Sequence, residues 1–107
     1  MVVEITQDNF EQIVLKSEKP VLLDFYAVWC GPCKLLHPVL EELSEEFTDQ
    51  ILVGRVDVDL NAELAAEHKI MNIPTVILLK NGERIDKEVG LSKNSKKTYT
   101  DMLNKHI

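Results

Sequence analysis

Cysteine, arginine and tryptophan are scarce in this chain of 107 residues, which contains two cysteines, two arginines and one tryptophan. Two cysteines are too few for the disulfide framework of a small secreted domain. Because Arg55 and Arg84 are the only arginines and the net charge is −6, no basic stripe exists, which argues against a nucleic-acid partner. No apolar run approaches the ~20 residues that a membrane span requires, so we expect no membrane partner.

The N-terminus, Met-Val-Val-Glu, shows no charged segment followed by an apolar one, and therefore no visible signal peptide. This absence favours a cytoplasmic protein. The length fits one domain and is too short for two. With 45% hydrophobic residues the chain can bury a core without a disulfide staple. We predict a single domain over residues 1–107 that acts as a monomer.

Apolar patterns predict five strands and four helices in the order β-α-β-α-β-α-β-β-α. The predicted strands cover residues 2–6, 21–27, 51–58, 75–79 and 83–89, and the predicted helices lie near residues 10–14, 34–47, 62–68 and 95–106. Asn81-Gly82 is a strong hairpin signal between the last two strands. Helical crossovers imply parallel strands, and the hairpin implies an antiparallel pair. We therefore predict an α/β fold with one mixed central sheet between helices.

Both cysteines, Cys30 and Cys33, stand at the junction between a predicted strand and a predicted helix. Only a thiolate exchanges with a disulfide, and a helix N-terminus stabilises negative charge. We predict that Cys30 is an exposed attacking thiolate and that the less exposed Cys33 resolves the mixed disulfide. Gly31 and Pro32 between them carry no titratable group, and the proline stiffens the link.

Two structural alternatives exist for this pair of cysteines. A Cys-x-x-Cys pair is also half of a zinc site, but such a site needs two more ligands, and the three histidines are scattered along the chain. The pair could also form a passive structural disulfide, although the short loop that it closes limits the entropic gain.

Asp24 is the one charged residue in the otherwise apolar strand predicted over residues 21–27. A buried carboxylate is costly unless it is paired or protonated, so we predict a raised pKa for Asp24. The alternative is that Asp24 lies near a strand end in contact with water. Pro74 is also unusual, because a proline at the entry to a strand donates no hydrogen bond; its simpler interpretation is a strand boundary.

The segment DFYAVWCGPCK at residues 24–34 resembles the active-site segment of the thioredoxin family. Ile-Pro-Thr at 73–75 and Lys-Asn-Gly-Glu at 80–83 are similar to later family segments, so the resemblance covers essentially the whole chain. It implies the thioredoxin fold, in which the first, third and second strands are parallel and the last two form an antiparallel hairpin. The implied function is a protein-disulfide reductase, a dithiol electron carrier with a redox-active Cys30–Cys33 disulfide and no bound cofactor or metal. The implied partners are a thioredoxin reductase, which recycles the oxidised form, and disulfide-containing substrate proteins.

The resemblance also implies roles for individual residues. Cys30 would be the nucleophile, Cys33 the resolving thiol, and Asp24 the buried acid that exchanges protons with Cys33 through water. Pro74 would be a cis-proline that faces the dithiol, and the Ile73 backbone would be free to pair with an extended substrate segment. The substrate-docking surface would be outlined by Trp29, Pro32, Ile73, Pro74 and Gly90.

Three positions depart from the family's common pattern. Arg55 stands where many members carry a lysine near the buried acid, and arginine supplies only a fixed charge there unless it simply reaches solvent. Tyr26 occupies a place often held by tryptophan, which changes the packing near the active site. The segment around Gly90 is one residue shorter. We expect Arg55, together with Gly31 and Pro32, to tune the redox chemistry.

Two other functions are open at this point. A dithiol oxidant or isomerase would use the same two thiols, but such relatives usually place a histidine or another polar residue between the cysteines. A partner-specific binding module would dock on one protein and use the dithiol as a redox switch or not at all. The reduction potential tests the first function, and a variant without thiols tests the second.

Overall fold

The computed structural model describes all residues from Met1 to Ile107, and a five-stranded sheet forms its centre. The strands are β1 (Val3–Glu4), β2 (Val21–Tyr26), β3 (Leu52–Asp57), β4 (Thr75–Lys80) and β5 (Glu83–Val89). They lie in the order β1-β3-β2-β4-β5. β1, β3 and β2 are parallel, whereas β4 is antiparallel to both β2 and β5. The predicted mixed sheet is confirmed.

Four helices flank the sheet, as predicted. They are a short π-helix (Glu11–Leu15), α1 (Gly31–Glu46), α2 (Ala62–Glu67) and α3 (Ser95–His106). The first helix is of the π type and has only five residues, which its apolar spacing did not indicate. None of the helices combines the length and the apolar character needed to cross a membrane.

Strand β2 is buried along its whole length because helices cover both faces of the sheet. Leu23 and Phe25 point to one face, where they pack with Val14 and Leu64 from the π-helix and α2. Leu22 points to the other face, which α1 and α3 cover with Leu36, Leu40, Leu43, Tyr99 and Leu103. The apolar pattern on both sides of β2 is typical of such a central strand. This placement puts Asp24 in the interior.

The turn between β4 and β5 has the backbone that its sequence predicts. Asn81 has a φ of 53° and Gly82 a φ of 80°. Two successive positive φ angles are typical of the type I′ turn, which fits the twist of a two-residue hairpin. The predicted hairpin is confirmed.

Gly54 allows β1 and β3 to approach each other closely. It pairs with Val3, and a Cβ atom at position 54 would lie 2.7 Å from Cγ1 of Ile5 and 3.3 Å from the backbone oxygen of Val3. Ile5 is fully buried, so its side chain has little room to move away. The close packing therefore requires a residue without a side chain at this position.

We expect Gly54→Ala to lower the free energy of unfolding by about 1–3 kcal/mol, because the added methyl group overpacks the contact with Ile5. Urea denaturation of the oxidised protein measures this change. Gly31→Ala is the matched control, since a Cβ atom at position 31 would meet nothing within 4 Å. Equal unfolding midpoints for the two variants would contradict the prediction.

Candidate active site

The two cysteines form a disulfide at the point where the chain passes from β2 into α1, and their Cα atoms are 5.2 Å apart. Cys30 is the residue that caps α1, and its Sγ accepts a hydrogen bond of 3.2 Å from the backbone N–H of Cys33. Pro32 lies in the first helical turn, where its missing N–H leaves no bond unmade. The unpaired N–H groups and dipole of this 16-residue helix favour negative charge on the Cys30 sulfur.

Both cysteines are nearly buried, with 5% of Cys30 and 3% of Cys33 exposed. The prediction of an exposed Cys30 is therefore wrong for the oxidised protein. The sulfurs are bonded to each other, and the pair packs with Tyr26 and Ala27. The two cysteines differ instead in position, because Cys30 caps the helix whereas Cys33 lies within it and lines a cavity beneath the disulfide.

The residues expected to bind substrate lie on three segments of the chain, with Trp29 and Pro32 on the first, Ile73 and Pro74 on the second, and Gly90 on the third. The Ile73–Pro74 peptide bond is cis, and the backbone N–H of Gly90 donates a hydrogen bond of 2.8 Å to the carbonyl oxygen of Pro74. Ile73 packs against the cluster that contains both cysteines. The structure therefore joins Pro74 to Gly90 and brings Ile73 to the dithiol.

The backbone N–H and carbonyl groups of Ile73 make no hydrogen bond within the protein. Trp29, at the other side of the cysteines, is 68% exposed, and its indole N–H donates a hydrogen bond of 2.8 Å to Asp59. Pro32 is also exposed. These groups form an accessible rim with apolar surface and unpaired backbone N–H and carbonyl groups. Such a rim suits an extended peptide.

Asp24 is 2% exposed and lines the cavity beneath the disulfide, which has a volume of about 290 Å³. Its Oδ1 atom has no hydrogen-bond partner. Burial raises the pKa of Asp24 from 3.8 to about 7, although the positive charge of Arg55 opposes this shift. The alternative position at a solvated strand end is excluded. The carboxyl group can therefore gain or lose a proton near neutral pH, in the same cavity as Cys33.

Arg55 lines the same cavity but is bonded elsewhere. Its Nε donates a hydrogen bond of 2.8 Å to Oε1 of Glu4, and its guanidinium lies 4.5 Å from the centre of the Tyr26 ring. The hydroxyl of Tyr26 donates a hydrogen bond of 2.7 Å to Oε2 of Glu4. Glu4 is a site residue that the sequence patterns did not reveal. Only the pairing of β1 with β3 brings it to Arg55.

The zinc alternative for the cysteines would need further ligands nearby. No group of three or more histidine, cysteine, aspartate or glutamate side chains in the structure is arranged to hold a metal ion.

Comparisons with known proteins agree with this geometry. The family model described as "Thioredoxin" matches residues 1–105. The chain is 42% identical over 107 residues to "Thioredoxin" from Rickettsia typhi, with both chains covered completely. It is 41% identical over 103 residues to "Thioredoxin 1" from Synechococcus elongatus, covering 96% of this chain and 94% of the relative. It is also 48% identical over 88 residues to the "Bifunctional thioredoxin reductase/thioredoxin" from Mycobacterium leprae, covering 82% of this chain and 19% of that protein.

We expect Asp24→Asn to stabilise the oxidised protein at high pH. The raised pKa means that the folded state binds the Asp24 proton more tightly than the unfolded state does. The resulting destabilisation is absent below pH 3.8, grows as the pH rises and is complete above about 7. At pH 8 the variant should be more stable by up to about 4 kcal/mol, since each pKa unit corresponds to roughly 1.4 kcal/mol.

Urea denaturation at several pH values between 4 and 8 measures this difference. Asp49→Asn is the matched control, because it removes the same charge from an exposed carboxyl group. The stability gain should widen with pH only for Asp24→Asn. A gain that stays constant over this range would show that the Asp24 carboxyl is not the titrating group.

Proposed function

This chain belongs to the thioredoxin family, and we propose that, as a dithiol disulfide reductase of that family, it divides its reaction between two cysteines with different roles. The observation that carries this proposal is the position of the Cys30 sulfur at the N-terminus of α1, bonded to Cys33, which shares a cavity with Asp24. The fold is the thioredoxin fold, and its disulfide is the redox-active group. We propose that residues 1–107 act as one domain.

In the first step, the Cys30 thiolate attacks one sulfur of a substrate disulfide. A bond forms between the two sulfurs, the substrate disulfide breaks, and one substrate sulfur leaves as a thiolate. The helix N-terminus supports this step because it stabilises the reactive thiolate before the attack. Gly31 and Pro32 contribute by fixing the short link between the cysteines without adding a charge.

In the second step, Cys33 resolves the mixed disulfide. Its thiol proton passes to the carboxylate of Asp24 through water in the cavity, and the Cys33 thiolate attacks the Cys30 sulfur. The mixed disulfide breaks, the second substrate sulfur leaves, and the Cys30–Cys33 disulfide forms. Two electrons have then moved from the dithiol to the substrate. A carboxyl group with a pKa of about 7 suits this exchange, because it is poised between its two protonation states near neutral pH.

The substrate docks as an extended segment beside Ile73. The free backbone groups of Ile73 supply the hydrogen bonds of an added strand, and the exposed apolar surfaces of Trp29 and Pro32 receive its side chains. Pro74 is itself buried, so it supports this surface from within and does not form part of it. Gly90, which is bonded to Pro74, limits this surface on the far side. Backbone bonding of this kind is tolerant of substrate sequence, which suits a general reductase.

A thioredoxin reductase that draws on a nicotinamide cofactor returns the oxidised protein to its dithiol form. The name of the Mycobacterium leprae relative joins both activities in one protein, which supports such a partner for this chain. The protein acts as a monomer in the cytoplasm, where reducing conditions keep its cysteines in use as thiols. Fractionation of the source cells and the mass in solution test these two statements.

We expect Cys33→Ser to accumulate a mixed disulfide with substrate, because the attacking sulfur remains and the resolving one is gone. Cys30→Ser should form no such adduct, and its rate of disulfide reduction should equal the rate in buffer without protein. Mass spectrometry after reaction of the reduced variants with a small disulfide protein measures the adducts. Adducts on Cys33 in the Cys30→Ser protein, with none on Cys30 in the other variant, would reverse the assigned roles.

We expect reduced nicotinamide cofactor to be consumed when this protein, thioredoxin reductase and a disulfide substrate are mixed. The thiol reductant dithiothreitol serves as the parallel electron source, because it bypasses the reductase. Turnover with both sources supports the proposed partner. Turnover with dithiothreitol alone would leave the disulfide reductase function intact and rule out that reductase as the electron donor.

A further inference from the structure

Five residues form a row across the whole sheet, one from each strand. Glu4 of β1 is in register with Arg55 of β3, Arg55 with Asp24 of β2, Asp24 with Val76 of β4, and Val76 with Glu88 of β5. Side chains in register share one face of a sheet. Val76 packs in the cluster formed with α1 and α3, so the row lies beneath these helices. Four of its five members are ionisable.

The row contains a cation and a buried acid that do not pair. Arg55 neighbours Asp24 on the same face, and both line the cavity beneath the disulfide. Nevertheless no hydrogen bond or ion pair joins them, and Oδ1 of Asp24 has no partner at all. An arginine beside a buried carboxylate normally forms a charge-assisted hydrogen bond with it. Contacts with other side chains must therefore keep the Arg55 guanidinium from pairing with Asp24.

Glu4 and Tyr26 hold the Arg55 side chain at the outer end of the row. The carboxylate of Glu4 accepts hydrogen bonds from both residues, at 2.8 Å from Arg55 and 2.7 Å from Tyr26, and the guanidinium rests 4.5 Å from the centre of the Tyr26 ring. The three side chains thus form a closed set of contacts. Burial lowers the pKa of Arg55, but the hydrogen bond and charge of Glu4 outweigh this effect and raise it.

We propose that Glu4 is a positioning residue for proton transfer at Asp24, because it holds the Arg55 guanidinium and so prevents this cation from pairing with the Asp24 carboxylate. An Asp24 paired with Arg55 would stay ionised near neutral pH and would bind a proton weakly. The unpaired carboxyl instead remains able to exchange a proton with Cys33. This inference rests on the proposed function of Asp24.

Other titratable and charged groups also face the region around Asp24. They come from every element packed around it: Cys33, Lys34 and His37 of α1, Tyr99 of α3, Glu88 of β5, Arg55 of β3, Tyr26 of β2 and Glu4 of β1. Nδ1 of His37 and the hydroxyl of Tyr99 are buried without partners. Of these groups, only Glu4 makes a hydrogen bond with Arg55, and the ring of Tyr26 lies against its guanidinium.

The test follows the Asp24 carboxyl directly, by ¹³C NMR titration of the full-length oxidised protein. Glu4→Gln weakens the hold on Arg55, and the titration midpoint of Asp24 should fall by roughly one unit or more, since pairing with arginine lowers an aspartate pKa by about 1–3. The same substitution in an Arg55→Gln background should lower the midpoint clearly less, because only the loss of the Glu4 charge then acts on Asp24. Glu88→Gln is the matched control, because it removes the same charge at the opposite end of the row.

Tyr26→Phe is the second variant, since it removes the hydroxyl bond to Glu4 and keeps the ring beneath Arg55. It should lower the midpoint in the same direction by a smaller amount. Equal shifts from Glu4→Gln in both backgrounds would overturn the inference, because Glu4 would then act by its own charge. An unchanged midpoint in Glu4→Gln would overturn it as well.

The pH profile of disulfide reduction separates this inference from the proposed function. In Glu4→Gln, the pH at which the rate of disulfide reduction changes should shift together with the titration midpoint of Asp24. A midpoint that moves while the rate profile stays in place would support the positioning by Glu4 and contradict the function of Asp24 in proton exchange.

Discussion

An aspartate buried in the central strand of the sheet is the constraint on which the rest of this site depends. Asp24 is 2% exposed, and burial raises its pKa to about 7. Above that pH the charged carboxylate destabilises the folded chain. The surrounding core, which covers β2 on both faces, must therefore stabilise the fold enough to tolerate this residue. Buried groups with strongly shifted pKa values are a common feature of active sites.

Helix α1 positions both cysteine sulfurs relative to the buried Asp24 carboxyl. Cys30 caps this helix and holds its sulfur at the N-terminus, and the first turn of the helix carries Cys33 to the cavity that contains Asp24. One element thus favours negative charge on one sulfur and places the other in the cavity that holds the Asp24 carboxyl. Ile73 and Trp29, which we propose to contact substrate, do not line this cavity.

Local patterns in the sequence predicted the elements that depend on neighbouring residues. The apolar run of β2, the Asn81-Gly82 turn and the dithiol at the start of α1 are all readable along the chain, and the structure confirms them. The burial of Cys30 was not readable, because it arises from the bond between the two sulfurs and from packing with Tyr26. The position of Glu4 was hidden for a related reason, since strand register is a long-range property.

Arg55 also shows that sequence patterns do not reveal long-range contacts. Its sequence position suggested either a fixed charge near Asp24 or a side chain that reaches solvent. The structure combines the two, because the residue lies beside Asp24 and turns outward to Glu4 and Tyr26.

The most direct test of the central claim is the rate at which Cys33 resolves a preformed mixed disulfide on Cys30, measured by rapid mixing between pH 5 and 9 in wild type and Asp24→Asn. If Asp24 accepts the Cys33 proton, the variant should resolve up to about 100-fold more slowly near pH 7 and lose the rate step there; superimposable profiles would contradict it.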